Sequence, residues 1–234
     1  MARQLYDYWF VQFDFPDENG RPYKSSGGKM VWNEKLKRDV PYGWTVKKIG
    51  GIIDVFDSIR IPLSGKERKE KQGQYPYYGA TGVMDYVNDF LFDDEIILLA
   101  EDGSTSDNEG HPIVQYVWGK VWVNNHAHIL LPKNRNHKVF LYFLLKGIEA
   151  KKIESGSIQK KISQANLSNH NILYPSEAVI TTFSRIVSPL WKEWMQSHET
   201  IDTLIKQRDE LLPLLINGQV SVMPREVNCD LSHD

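Results

Sequence analysis

Apolar positions along this chain follow two rhythms that change over near Pro175. From Pro41 to about Tyr174 they come in short runs rich in Val, Ile and aromatics: WTVKKI, IIDVF, EIILLA, IVQYVWG, KVWVNN and HAHILL. Gly, Pro, Asn and Asp separate these runs, which predicts short strands joined by turns. One interruption, VFLYFLLKGIEA within residues 137–150, carries helix-like spacing. NHNILY at 169–174 reads as a last strand. Upstream, the aromatic stretch ARQLYDYWFVQF at 2–13 is either the end of a helix or a strand packed on a core. FPDENGRPYKSSGGKMVWNEKL, with Pro16, Gly20, Pro22, Gly27 and Gly28, predicts an irregular, extended linker.

After Pro175 the period lengthens. Ile180, Phe183, Val187, Leu190, Trp194, Ser197, Ile201, Leu204, Arg208, Leu211 and Leu215 alternate spacings of three and four, the seam of a coiled coil. At about 1.5 Å per residue, a helix over 176–216 is roughly 50 Å long, more than one small domain needs to cover itself. The narrow stripe predicts a partner helix rather than packing on the chain's own body. Ser197 and Arg208 are polar seam positions that fix register. Pro189 predicts a kink or a second helix start, and Pro213 a frayed last turn. The expected architecture is α+β: a connector over 1–40, a twisted, mostly antiparallel β-rich domain over 41–175, the coiled-coil helix over 176–216 and a polar tail over 217–234.

Composition narrows the class. The 234 residues can bury a sizeable core, and 28 basic against 30 acidic residues advertise neither nucleic acid nor membrane through total charge. Charge distribution says more: Val83 to Gly110 holds nine carboxylates and no Lys or Arg. Cations gather instead at Lys66, Arg68, Lys69 and Lys71, and at Lys146, Lys151, Lys152, Lys160 and Lys161, enough for one face to meet a polyanion. The single Cys229 excludes an internal disulfide framework. With no signal-peptide pattern at MARQLYDYWF and no apolar run of membrane-spanning length, a soluble cytoplasmic protein is expected.

No phosphate-cradling G-x-x-x-x-G-K-[ST] loop and no dinucleotide fingerprint occurs. Asp85, Glu95, Glu101 and Asp102 offer carboxylates for a Mg²⁺ nuclease, but no lysine accompanies them in their own stretch. His126 and His128 sit two apart on a predicted strand and so share a face, with His111 the only near third ligand; no metal site is expected. Three loops look built for binding. QYPYYGATGV places Tyr77, Gly79 and Thr81 where small residues admit a close ligand. DGSTS offers Ser104 and Thr105, with Lys120, Asn124 and Asn125 as complements, and Asn matches adenine's two-point major-groove edge. ESGSIQKKIS brings Ser157, Gln159, Lys160 and Lys161, which suit phosphates.

YPYYGATG, EIILLAEDGS, NNHAHIL, ESGSIQKKIS and IKQRDELLPLLINGQVSV together resemble the specificity subunits of type I restriction–modification systems, and LYDYWFVQFDFPDENGRPYKSSGGKMVWNEKLKRDVPYGW resembles their connector. A full subunit of that family carries two target-recognition domains separated by two antiparallel helices. This chain matches one domain and one long helix, so it resembles a half-length form. The resemblance implies a non-catalytic reader of double-stranded DNA. A methyltransferase subunit would supply S-adenosylmethionine and modify adenine, and a restriction subunit would supply ATP- and Mg-dependent cleavage. Neither cofactor is expected on this chain. Expected base readers are Thr81, Ser104, Thr105, Asn124 and Asn125, with Lys66, Lys120, Lys160 and Lys161 on phosphates. A homodimer through Ile180, Phe183, Val187, Leu190, Trp194, Ile201, Leu204, Leu211 and Leu215 would restore the missing helix. The competing class is a protein–protein docking module that does not bind DNA.

Overall fold

The computed structural model describes residues 1–156 and 159–220. In chain order the elements are α1 (Ala2–Tyr6), running into a π-helical turn at Asp7–Val11, β1 (Met30–Asn33), β2 (Arg38–Pro41), β3 (Thr45–Lys48) and β4 (Ile53–Val55). Next come α2 (Gly65–Glu70), β5 (Gln72–Tyr78), β6 (Val83–Val87), β7 (Phe92–Asp93), β8 (Ile96–Ala100), β9 (Val114–Val117), β10 (Lys120–Val123), β11 (Ala127–Pro132) and α3 (Lys138–Lys146). The series closes with β12 (Glu154–Ser155), β13 (Lys161–Ile162), α4 (Gln164–Asn169), β14 (Asn171–Tyr174) and α5 (Glu177–Ile216). The chain divides into two units, Met1–Ser188 and one that begins at Pro189, with the boundary inside α5.

In the first unit, one four-stranded sheet runs β4-β11-β8-β9, antiparallel throughout, and a second runs β6-β5-β10-β7. Its β5–β10 pair is parallel, because the two strands are distant in sequence and joined by a crossover. Every residue of β8, IILLA, is buried, so the run without polar alternation is a strand covered on both faces. Ile96, Leu98, Val121, Val123, Ala127 and Ile129 interlock as one apolar core between the strands. The connector, expected to be irregular, contains the hairpin β1–β2, turned by Asn33, whose side-chain oxygen accepts from the N–H groups of Lys35 and Leu36. Binding loop QYPYYGATGV is largely strand: β5 pairs antiparallel with β6 through two register shifts.

A second core is aromatic. Phe183 on α5 lies 5.0 Å from Phe10, 5.9 Å from Trp9 and 6.0 Å from Tyr6, ring centre to ring centre. Phe140 of α3 joins them, 5.0 Å from Phe10. The spacing of Tyr6, Trp9 and Phe10 is therefore helical in origin, resolving the choice left open for residues 2–13 as the end of a helix, with Phe13 beyond it at φ +69°. This corrects the expected helix interface: Ile180, Phe183 and Val187 are buried in the first unit and cannot line a seam with another chain.

The second unit contains the rest of α5. Pro189 and Pro213 both lie within the helix, so neither starts nor ends it. Leu190 is partly buried, and Trp194, Ile201, Leu204, Leu211 and Leu215 are exposed, with Leu204 at 57%. Trp191, which the three–four spacing passes over, is buried, and it contacts Trp194 at 4.8 Å. Among the described residues no helix is long and apolar enough to cross a membrane.

Candidate nucleic-acid interface

Loops far apart in sequence converge at the ends of β8, β10 and β11. The β5–β6 turn closes where the Gly79 N–H donates to the Gly82 carbonyl at 2.8 Å. It is pinned from β9 by Gln115, whose Nε2 donates to the carbonyls of Gly79 (3.2 Å) and Ala80 (3.0 Å). After β8, the Glu101 N–H donates to the His126 carbonyl and Asp102 meets His126 Nδ1 at 2.7 Å, joining this turn to the one between β10 and β11. Hairpin β12–β13 is attached to the same turn by a bridge between Asp102 and Lys161. Gly156 follows β12 at φ +89°, where a Cβ would stand 2.3 Å from the Gln159 carbonyl, so the position requires glycine.

Beneath the loops lies a charged network. His128, on β11 and almost fully buried, places Nδ1 2.6 Å from Asp57 Oδ2 and Nε2 2.7 Å from the Ile162 carbonyl. Both partners are acceptors, so both ring nitrogens carry protons and the ring is an imidazolium. Burial alone would lower its pKa; the bonds to Asp57 and Ile162 and the charges of Asp57 and Glu101 outweigh that and raise it. Asp57 is the mirror case: burial pushes its carboxyl up, but hydrogen bonds from His128, the Ile129 N–H and Gln164 leave it below the usual value. Arg60 completes the frame, with Nη1 2.6 Å from Glu101 Oε2 and 2.8 Å from the Ala127 carbonyl. Glu101 also receives Lys161 at 3.0 Å and lies 3.6 Å from His128. Burial raises the Glu101 carboxyl less than the bonds from Arg60 and Lys161 depress it.

Asp57, Glu101 and His128 hold ligand-type atoms within 4.8 Å of one another. The donor set does not suit a metal, because metal ligation needs a bare imidazole nitrogen and both of His128's are committed as donors. The four carboxylates considered for a nuclease are likewise engaged: Asp85 by Arg68, Glu95 by the Tyr116 hydroxyl, Glu101 by Arg60 and Lys161, and Asp102 by His126.

The expected site residues separate into three groups. Thr81, Ser104, Asn125, Gln159, Lys160 and Lys161 are exposed around the joined loops. Tyr77, Gly79, Thr105 and Asn124 are buried and used internally, which corrects their expected role as contacts. The Tyr77 hydroxyl accepts from the Leu63 N–H at 2.9 Å, and the Thr105 hydroxyl donates to Glu154 at 2.6 Å. Asn124 accepts from the His126 N–H at 2.7 Å through Oδ1, and a methionine sulfur faces its amide nitrogen. Lys66 and Lys120 stand apart. Lys66 on α2 pairs with Glu70 at 3.8 Å. Lys120 begins β10, a strand's length from Asn125, with its ammonium 4.8 Å above the Phe90 ring. Ser157 lies outside the described residues. Sequence reasoning missed Asp57, Arg60 and Gln164, whose only local signal is the i, i+3 spacing of Asp57 and Arg60.

Comparison with known proteins places this geometry in a family. A family profile described as "Type I restriction modification DNA specificity domain" matches residues 41–207. A chain described as a type I restriction enzyme specificity subunit in Haemophilus influenzae is 32% identical over 157 residues, covering 67% of this chain and 39% of its own length. The type I restriction enzyme MjaIX specificity subunit of Methanocaldococcus jannaschii is 24% identical over 241 residues, covering 95% of this chain and 52% of its own. This chain thus spans about half or less of these curated relatives. The fold is shared with the crystal structure of a type I restriction–modification S subunit from M. genitalium, with a TM-score of 0.55 at 17% identity over 74% of this chain and 46% of that one. The matched span contains both four-stranded sheets, the joined loops and most of α5; on that match, the chain belongs to the type I restriction–modification DNA specificity family.

Proposed function

We propose that this chain reads DNA sequence as one half of a type I specificity function, and directs methylation and cleavage that partner subunits carry out. One observation supports this above the rest. The turn after β8, the turn between β10 and β11 and hairpin β12–β13 are fastened together over the Arg60–Glu101 and Asp57–His128 pairs. With the β5–β6 turn, held from β9 by Gln115, they leave Thr81, Ser104, Asn125, Gln159, Lys160 and Lys161 exposed. Exposed amide and hydroxyl groups suit base edges, and an exposed lysine suits a phosphate. The chain's own role is non-catalytic. A methyltransferase subunit with S-adenosylmethionine modifies adenine, and a restriction subunit uses ATP and Mg²⁺.

The exposed apolar positions from Trp194 to Leu215 support a two-fold dimer through that stretch alone. Such a dimer reads an inverted, bipartite site with identical halves, the gap set by the helix. The test is selection of duplexes from a random pool by the chain with its methyltransferase subunit, followed by anisotropy titration. The expected result is a bipartite motif bound more tightly than competitor DNA. Absence of any selected motif, with the partner present, supports the docking-module alternative instead.

A further inference from the structure

Lys160 and Lys161 are neighbours, both half exposed and both paired with a carboxylate, yet their partners are not equivalent. Lys160 lies 3.1 Å from Glu154, whose side chain is 6% exposed, and among the described residues it is the only cation within ion-pair distance of that carboxylate. Withdrawing it would leave Glu154 with the Thr105 hydroxyl as its short partner, a nearly buried charge without a counter-ion. Lys161 lies 3.0 Å from Glu101, but Glu101 also has Arg60 at 2.6 Å and His128 at 3.6 Å. Asp57 and Glu101 are thus balanced by Arg60 and His128, and Lys161 is a surplus charge.

We propose that Lys161 is the side chain this network releases to a DNA phosphate, with His128 and Arg60 as the positioning residues that allow it to leave, while Lys160 stays as a structural counter-ion. This rests on the DNA-reading role proposed above. If His128 were neutral, Asp57 and Glu101 would face Arg60 alone, and Lys161 would be needed where it is. The charge on a ring withdrawn from the surface then sets how many phosphates the edge neutralises.

The experiment measures affinity of the full chain with its methyltransferase subunit for the selected duplex across a salt series. Each phosphate neutralised contributes about 0.9 to the slope of log K against log salt. Lys161→Ala is expected to make the slope shallower by about 0.9, and Lys160→Ala to leave it unchanged while lowering the melting temperature. His128→Gln is expected to match Lys161→Ala, and adding Glu101→Gln to His128→Gln to restore the wild-type slope by freeing the lysine.

Should His128→Gln not fold, the slopes of wild type and Lys161→Ala are compared well below and well above the ordinary histidine value of 6.5. The charged groups facing His128 are Asp57 and Glu101, which pair in turn with Arg60 and Lys161, and nearby His126 pairs with Asp102. His126 and Asp102 are common to both proteins, so the wild-type excess in slope is expected at low pH and should vanish at high pH. A slope unchanged by Lys161→Ala, a loss with Lys160→Ala, or an excess that persists at high pH overturns the assignment. A wild type that binds no duplex overturns the DNA role itself, and the assignment with it.

Discussion

Phe183→Ala separates a core residue from a seam residue. The ring is fully buried, with Phe10, Trp9 and Tyr6 between 5.0 and 6.0 Å away. Burying such a side chain contributes about 1.5–3 kcal/mol by transfer alone. The cavity left among aromatic neighbours that cannot collapse brings the cost of truncation to about 3–5 kcal/mol. Against a total stability of about 5–15 kcal/mol, that is a large fraction, and the N-terminal helix loses its anchor on α5 at the same time. The assay is urea unfolding followed by tryptophan fluorescence at two protein concentrations well apart. The expected result is a lower midpoint with the same displacement at both concentrations, because the contacts lie within one chain. A loss below about 1 kcal/mol, or a displacement that depends on concentration, would refute the intrachain reading and return Phe183 to the interface.

Three further outcomes follow from the same structure. Ile201→Glu with Leu204→Glu alters exposed positions, so unfolding of the first unit should shift by no more than about 0.5 kcal/mol, while sedimentation at tens of micromolar shows the dimer gone; a wild type already monomeric there contradicts the dimer. The stability lost in His128→Gln should depend on pH. A raised histidine pKa stabilises fully below 6.5 and less as pH rises through its folded value, and the depressed Asp57 carboxyl stabilises above 3.8 and is lost as pH falls through its folded value. The gap between wild type and variant should therefore be widest between 3.8 and 6.5, and a gap independent of pH in denaturant melts would dismiss the imidazolium. Gly73→Ala places a Cβ 2.3 Å from the Asn88 Cα and 2.5 Å from the Val87 carbonyl, both backbone. Forcing β5 from β6 should cost about 1–3 kcal/mol in thermal unfolding, and an unchanged melt would show that the strands part freely.

Much of the fold was legible because its signals are local. β8, β9, β10 and β11 fall where runs of Val, Ile and Leu predict strands, and α3 and α5 where the period is helical. Two hairpins were hidden by composition. Gly27 and Gly28 precede β1–β2, and Pro76 and Gly79 punctuate β5–β6, so residues that usually end strands here sit beside or inside them. In β5 the proline is tolerated next to a register irregularity. The heptad pattern carried no mark of where intrachain burial ends, since Val187 and Ile201 occupy equivalent seam positions with opposite exposure. The three loops were identifiable, but not which of their side chains face outward. Asn124 and Asn125 are adjacent and chemically identical, and only the pleat at the end of β10 sends one inward. The Asp57–His128 and Arg60–Glu101 contacts join residues 71 and 41 positions apart, a separation no short motif records.

The most direct test of the DNA-reading role is to map methylated adenines in DNA from cells that carry the matching methyltransferase subunit, with and without this chain. The account predicts methylation only when the chain is present, at one inverted, bipartite motif, with Asn125→Ala relaxing the preference at one position of each half-site. Methylation at the same sites without the chain, or none with it, would contradict it.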